Sequence, residues 1–198
     1  GRITDLLPDL LPDSKGLSLF LCRWSKEESI PVRLPPDALP RERRLWRRAL
    51  EAWESAGLGI SFIAVEKRLS HGIDVAFRSE GQSRPKGTGD ALADCRMASP
   101  FEGAGPLEAH LSFASIHLNR SLPLWKGVEV DLAEDELLGA MLHELGHALG
   151  FSGHVVSGNS IMVADKAKVR AIARGVERGK SLPAPELVAL YGVPSGLR

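Results

Sequence analysis

Apolar residues recur along this chain with two periods, and the alternation between the periods lays out the elements. Residues 17–24 form an apolar, strand-like run, and residues 30–34 (IPVRL) alternate as a second strand. Pro40 suits the first turn of a helix that runs to about Ala56, with Gly57 just past its end. Within it Trp46, Ala49, Leu50 and Trp53 fall on one stripe at helical spacing and are read as core. Residues 60–65 and 73–77 are short and β-branched or aromatic, which predicts strands. Residues 81–89 and 100–106 read as loops, residues 90–97 as an edge strand, and residues 110–118 as a strongly alternating strand.

The next helix is predicted to open at Asp131. Glu134 stands three residues on, as in a capping box with Asp in place of Ser or Thr. Glu134, Asp135 and Glu136 suit the positive end of a helix, and a calcium site is not required to explain them. Residues 164–180 are basic and partly helical by pattern, and Pro183 and Pro185 lead into a short final helix. Residues 1–16, with LLPDLLPD, read as an irregular leader, because so short a near-repeat does not make a repeat architecture.

Composition narrows the class. The length suits one domain, and 25 basic residues balance 25 acidic ones, so net charge implies no attraction to nucleic acid or membrane. No apolar run is long enough to span a bilayer, and no signal peptide is visible. Arg41, Arg43, Arg44, Arg47 and Arg48 are read as a solvated helix face partly balanced by Glu42, Glu51 and Glu54. Cys22 and Cys95 can form one disulfide or remain buried thiols.

The chemistry is concentrated in HELGHALGFSGH, residues 143–154. On a helix His143 and His147 lie one turn apart and point the same way, so two imidazoles can bind one Zn²⁺. Glu144 then sits beside the metal as a general base. Gly150 can end the helix in a left-handed turn and bring the chain back, which makes His154 the natural third ligand. Three protein ligands without cysteine are the pattern of a catalytic zinc. Ser160-Ile161-Met162 follows closely.

The extended motif with a following Met-turn resembles the metzincin metallopeptidases, and the wording HELGHALG is most similar to the matrixin branch. Residues 114–119 (ASIHLN) resemble the strand before that branch's active-site helix, and residues 187–192 (LVALYG) resemble its closing helix. The resemblance covers residues 29–193. It implies an α+β fold, with a mixed twisted sheet, an active-site helix and a small C-terminal subdomain. It divides the chain into a leader with an extra strand (1–28) and a catalytic domain (29–198).

The activity it implies is a zinc-dependent endopeptidase that hydrolyses extended polypeptides by zinc-activated water. His143, His147 and His154 are the metal ligands, and Glu144 is the general base. The substrate lies against the edge strand near residues 90–97, and residues 164–180 wall the specificity pocket. Met162 packs beneath the histidines without ligating. A monomer working outside the cytoplasm is also implied.

Departures from the pattern matter. The family has two residues between Gly150 and the third histidine, and this chain has three: Phe151, Ser152 and Gly153. Gly153 is expected to absorb the extra residue in an unusual conformation, or the loop to bulge near Ser152. Asp165 or Glu177 is the alternative third ligand. The sequence around Cys22 does not match the family's latency motif, and the loop motif that would join His71, His110 and His117 in a second zinc site is missing. Two other readings stay open: a metal-binding module without peptidase activity, and a zinc protease with a carboxylate third ligand.

Overall fold

The computed structural model describes residues 11–13, 16–18, 20–78, 88–98, 108–125, 128–193 and 196–197. Along the chain run β1 (Leu11–Asp13), β2 (Gly16–Ser18), β3 (Phe20–Leu21), β4 (Ile30–Arg33), α1 (Pro40–Glu54), β5 (Phe62–Ala64), β6 (Gly72–Arg78), β7 (Gly89–Ala98) and β8 (Glu108–Asn119). They are followed by β9 (Ser121–Trp125), β10 (Val128–Asp131), α2 (Glu134–Ala148), α3 (Lys166–Glu177), α4 (Pro185–Gly192) and β11 (Gly196–Leu197).

A five-stranded mixed sheet in the order β5-β4-β6-β8-β7 forms the centre. β4, β5, β6 and β8 are parallel, α1 being the crossover from β4 to β5, and β7 is antiparallel at the edge. The alternation read from the sequence sets the faces. Val32, Ile73, Val75, Ala114, Ile116 and Leu118 are buried against the two long helices. The opposite face carries charge: Arg33 grips Asp74 with bonds of 2.7 and 2.9 Å, and Arg78 pairs with Asp90. With four helices among the described residues, the fold is α+β. Among those residues no helix is long and apolar enough to cross a membrane.

The stripe on α1 is core as predicted, with Trp46, Ala49 and Trp53 buried and Leu50 partly so. The charged face needs correction. Glu42 is 0% exposed: it accepts the Leu39 amide at 2.7 Å, closing the first turn, and pairs with Arg120 at 2.8 Å. Arg44 meets Glu134 at 2.5 Å, and Arg48 donates to the Val176 carbonyl at 2.6 Å. Only part of the arginine run is therefore a solvated face, because α2 and α3 come up beside it.

Two other expectations shift. The run at residues 17–24 is divided between β2, which forms a hairpin with β1 in the leader, and β3, which pairs with β11. The helix expected at Asp131 begins three residues later. Asp131 belongs to β10, and the cap is closed by Glu136, which accepts the Ala133 amide at 2.9 Å. The cause is the β9–β10 hairpin, which stands between β8 and α2 and has no counterpart in the sequence reading. The loops read at 81–89 and 100–106 lie outside the described residues apart from Thr88 and Gly89 at the start of β7.

Replacing Glu42 by Ala leaves Arg120 with Asp37 as its remaining carboxylate and opens the first turn of α1. A loss of about 3 kcal/mol of stability is expected, read from urea denaturation. An unchanged midpoint would show that the pair contributes nothing to stability.

Candidate metal centre

The site is built on the way α2 stops. Gly150 takes φ 111°, and the Gly150 amide bonds the His147 carbonyl at 2.9 Å while the Phe151 amide bonds the Gly146 carbonyl at 3.2 Å. This pair of bonds closes a helix around a left-handed glycine. A Cβ on Gly150 would also stand 2.5 Å from the Cys22 carbonyl oxygen. Two further carbonyls at this helix end are bonded from afar: the Trp24 indole donates to Ala148 O at 2.9 Å and the Tyr191 hydroxyl to Leu149 O at 3.0 Å.

Past the turn, the chain returns His154 to the first two histidines. His143 Nε2 lies 3.1 Å from His154 Nε2 and 3.2 Å from His147 Nε2. The other ring nitrogens are committed elsewhere. His143 Nδ1 bonds the Ile161 carbonyl at 2.7 Å, and His147 Nδ1 bonds the Phe151 carbonyl at 2.6 Å. A carbonyl can only accept, so both Nδ1 atoms carry the proton. In the neutral rings both Nε2 atoms then present bare lone pairs to each other, an arrangement that a shared cation relieves. Three nitrogens about 2.0–2.1 Å from one ion in tetrahedral directions lie about 3.3 Å apart. The donor set and its spacing therefore fit zinc, and ring orientation by carbonyls is the usual outer support of such ligands. Burial lowers the His143 pKa to about 4, against the Ile161 carbonyl, which favours the charged form. His147 is lowered for the same reason. Neutral imidazole is the form a metal needs.

The turn under the histidines is fixed from below. Ser160 donates its hydroxyl to Glu186 at 2.7 Å and accepts the Met162 amide at 3.0 Å, while the Ile161 amide bonds Pro183 O at 2.8 Å. Met162 is fully buried and packs on Gly146, where a Cβ would lie 2.2 Å from its sulfur.

Glu144 is 6% exposed and lies against the edge strand. A Cβ on Gly89 would come within 3.0 Å of its Cγ. Burial raises its pKa to about 7; the Asp90 carboxylate adds to this and Arg78 opposes it. A cleft of about 990 Å³ runs between β7 and the helices, lined by Glu144, the three histidines, Leu122 and Val169 among others.

The edge strand faces this cleft with free backbone. The Asn119 amide bonds Thr88 O at 2.9 Å, and the register then holds to Asp94. Alternate residues exchange bonds with β8, so Gly89, Ala91 and Ala93 turn their amides and carbonyls outward. The Cys22–Cys95 disulfide, with an S–S distance of 2.02 Å, settles the cysteine pairing and ties β7 to the segment packed on Gly150.

The predicted residues His143, Glu144, His147 and His154 are thus brought together. The alternatives stand apart. Asp165 caps α3, accepting the Ala167 amide at 2.9 Å, and Glu177 is exposed beside the arginines of α1. Gly153 does not take the expected positive φ; the left-handed residue of this turn is Gly150. His71 stacks edge-on against Trp24, His110 bridges to Arg23, and His117 stands opposite Asp90. The orienting carbonyls of Phe151 and Ile161 went unread, because a main-chain acceptor leaves no mark in the sequence. No protein-family model matches the chain, and no curated protein is significantly similar to it.

Gly150→Ala is expected to cost more than about 2 kcal/mol and to weaken metal binding. Gly153→Ala should stay within about 0.5 kcal/mol. Thermal unfolding and zinc titration of both variants check this, and equal effects at the two positions would contradict the turn geometry.

Proposed function

We propose that this chain is a zinc endopeptidase of the metzincin type, resembling a compact bacterial-type matrixin. The observation that carries the reading is the convergence of three Nε2 atoms with the opposite ring nitrogens of His143 and His147 locked on carbonyls. His143, His147 and His154 would hold the metal. A zinc ion bound there would supply a Lewis acid that polarises a carbonyl and lowers the pKa of water so that it can give up a proton near neutrality.

The rest of the chemistry belongs to Glu144. It follows His143 directly but is turned towards Gly89 and the edge strand. A buried carboxylate that ligates nothing is a costly ornament in a purely structural metal site. Set beside the metal position and against the edge strand, it would take a proton from water and return one to the leaving amine. This favours a peptidase over a metal-binding module without activity.

An extended polypeptide would add to β7 through the outward groups of Gly89, Ala91 and Ala93, whose small side chains leave room over the cleft. α3, following the Met162 turn, would form the wall of the main specificity pocket, with Val169 turned to it. The disulfide suits a protein working outside the cytoplasm.

Glu144→Ala is expected to keep zinc and fold and to lower peptide hydrolysis by about 10²–10⁴-fold. A rate within twofold of wild type removes Glu144 from the mechanism. His154→Ala should lose zinc at chelator concentrations that leave the wild type loaded, whereas His117→Ala and Asp165→Asn should not. Metal analysis after dialysis reads this directly, and zinc retained by His154→Ala but lost by Asp165→Asn would move the third ligand to the carboxylate.

A further inference from the structure

Both cysteines line the cleft together with the three histidines. Cys95 lies on the edge strand β7, and Cys22 in the N-terminal segment beside the end of α2. Each bears on Gly150, which ends that helix and turns the chain back towards His154. Cys22 does so directly. A Cβ on Gly150 would stand 2.5 Å from its carbonyl oxygen. Cys95 does so through Leu111, its partner across the β7–β8 pair. Leu111 is buried, and its side chain lies 3.4 Å from that same Cβ position. The disulfide therefore draws together two parts of the chain against which the Gly150 turn packs.

The other supports of these two parts are uneven. After Cys22 the segment is anchored in the interior. The Trp24 indole donates to Ala148 O at 2.9 Å, and the Trp24 amide to the Tyr191 hydroxyl at 3.4 Å. Just before Cys22 stands the two-residue ladder of β3 with β11. On β7 the register shifts between Asp94 and Cys95, so regular pairing is interrupted where the bridge attaches. A disulfide that is only a staple acts on the unfolded chain, and these cysteines stand 73 residues apart. This one also acts within the folded protein, because it closes on the turn that sets the histidines.

Cys22 is half-buried and Cys95 exposed, so the bridge is open to solution on the Cys95 side. We propose that the Cys22–Cys95 bridge is a thiol–disulfide exchange site that sets the metal affinity of the three histidines through the Gly150 turn. The thiolate of a dithiol reductant attacks Cys95 Sγ. The S–S bond breaks, and Cys22 leaves as a thiolate that takes a proton from water. The reductant's second thiol then attacks the mixed disulfide, frees Cys95 and closes the reductant's own disulfide. Two electrons pass from the dithiol to the protein's bridge. With the bridge open, no covalent link keeps the Cys22 carbonyl on Gly150. The Phe151 carbonyl, which bonds His147 Nδ1 at 2.6 Å, and His154 beyond it are then less firmly placed. Oxidation reverses the step, so the metal is held tightly where the bridge is closed. The proposal rests on the reading of His143, His147 and His154 as a metal site and makes no use of peptidase activity.

Zinc affinity is measured by competition with a chromogenic chelator, at a temperature where circular dichroism shows the protein folded. Three forms are compared: oxidised wild type, wild type reduced with dithiothreitol and desalted without oxygen, and Cys22→Ser/Cys95→Ser. The last has no thiol left to bind metal. Both altered forms should bind zinc about tenfold or more weakly, the order seen when an outer support of a metal ligand is removed. Reoxidation of the reduced wild type should restore the affinity. Should the double variant fail to fold, the reduced wild type carries the test. Affinities within about threefold of oxidised wild type, with a lowered melting temperature alone, make the bridge a staple and overturn the proposal. A bridge that dithiothreitol opens only as the protein unfolds overturns it, as does failure of both altered forms to fold. Oxidised wild type that takes up no zinc would instead sink the metal-site reading, and this proposal with it.

Discussion

A helix that ends leaves its last carbonyls without amide partners, and α2 ends inside the protein, where water cannot supply them. Four carbonyls there are met in different ways. Those of Gly146 and His147 are bonded by the turn around Gly150, that of Ala148 by the Trp24 indole, and that of Leu149 by the Tyr191 hydroxyl. The same turn points the Phe151 carbonyl at His147 and sends the chain back to His154. Ending the helix and orienting the histidines are therefore one structure. Its supports come from the N-terminal segment and from α4, which explains why elements so distant in sequence are needed beside a twelve-residue motif.

The second support works from below. Glu186 on α4 holds Ser160, Ser160 holds the Met162 amide, and the Ile161 carbonyl between them holds His143. The two links through Ser160 join buried groups, where an unmet partner is expensive, and the third, at His143, is part-buried. The close approach of Met162 to Gly146 joins this turn to α2 directly. Two histidines on one helix are thus oriented by carbonyls from two different loops. The angle between their rings, 87°, reflects that division.

What could be read from sequence was what depends on side-chain period and on glycine chemistry. The apolar stripe of α1, the strands β4, β6 and β8, and the edge position of β7 follow from alternation and from flanking breakers. Gly150 was legible because a chain must reverse there for a third histidine to return. The β9–β10 hairpin was not. Pro123 interrupts its first strand, Leu122 packs only partly buried against the core and Val128 and Val130 are exposed, so its pattern carries little burial signal. The placing of Glu42 was illegible for a related reason. A carboxylate in an arginine-rich run looks solvated until Arg120, 78 residues away, arrives to bury it. The loop before His154 shows the same limit: its extra residue pointed to Gly153, yet the strained backbone stays at Gly150.

Glu144 sits where stability alone would not place a carboxylate. Burial against the edge strand disfavours its charged form, and the nearby Asp90 carboxylate adds to the effect. Arg78 is close enough to oppose them but is already engaged by Asp90 and Asn119. A side chain kept for packing would be better replaced by an apolar one of similar size. The glycine at position 89 and the outward-facing backbone beside it point the same way: space is held open next to this carboxylate, along an edge that can accept another strand. An edge of free amides, a cleft floor of small side chains and a carboxylate poised near neutrality are each a liability to a folded protein. Together they are what the proposed action on an extended main chain would require.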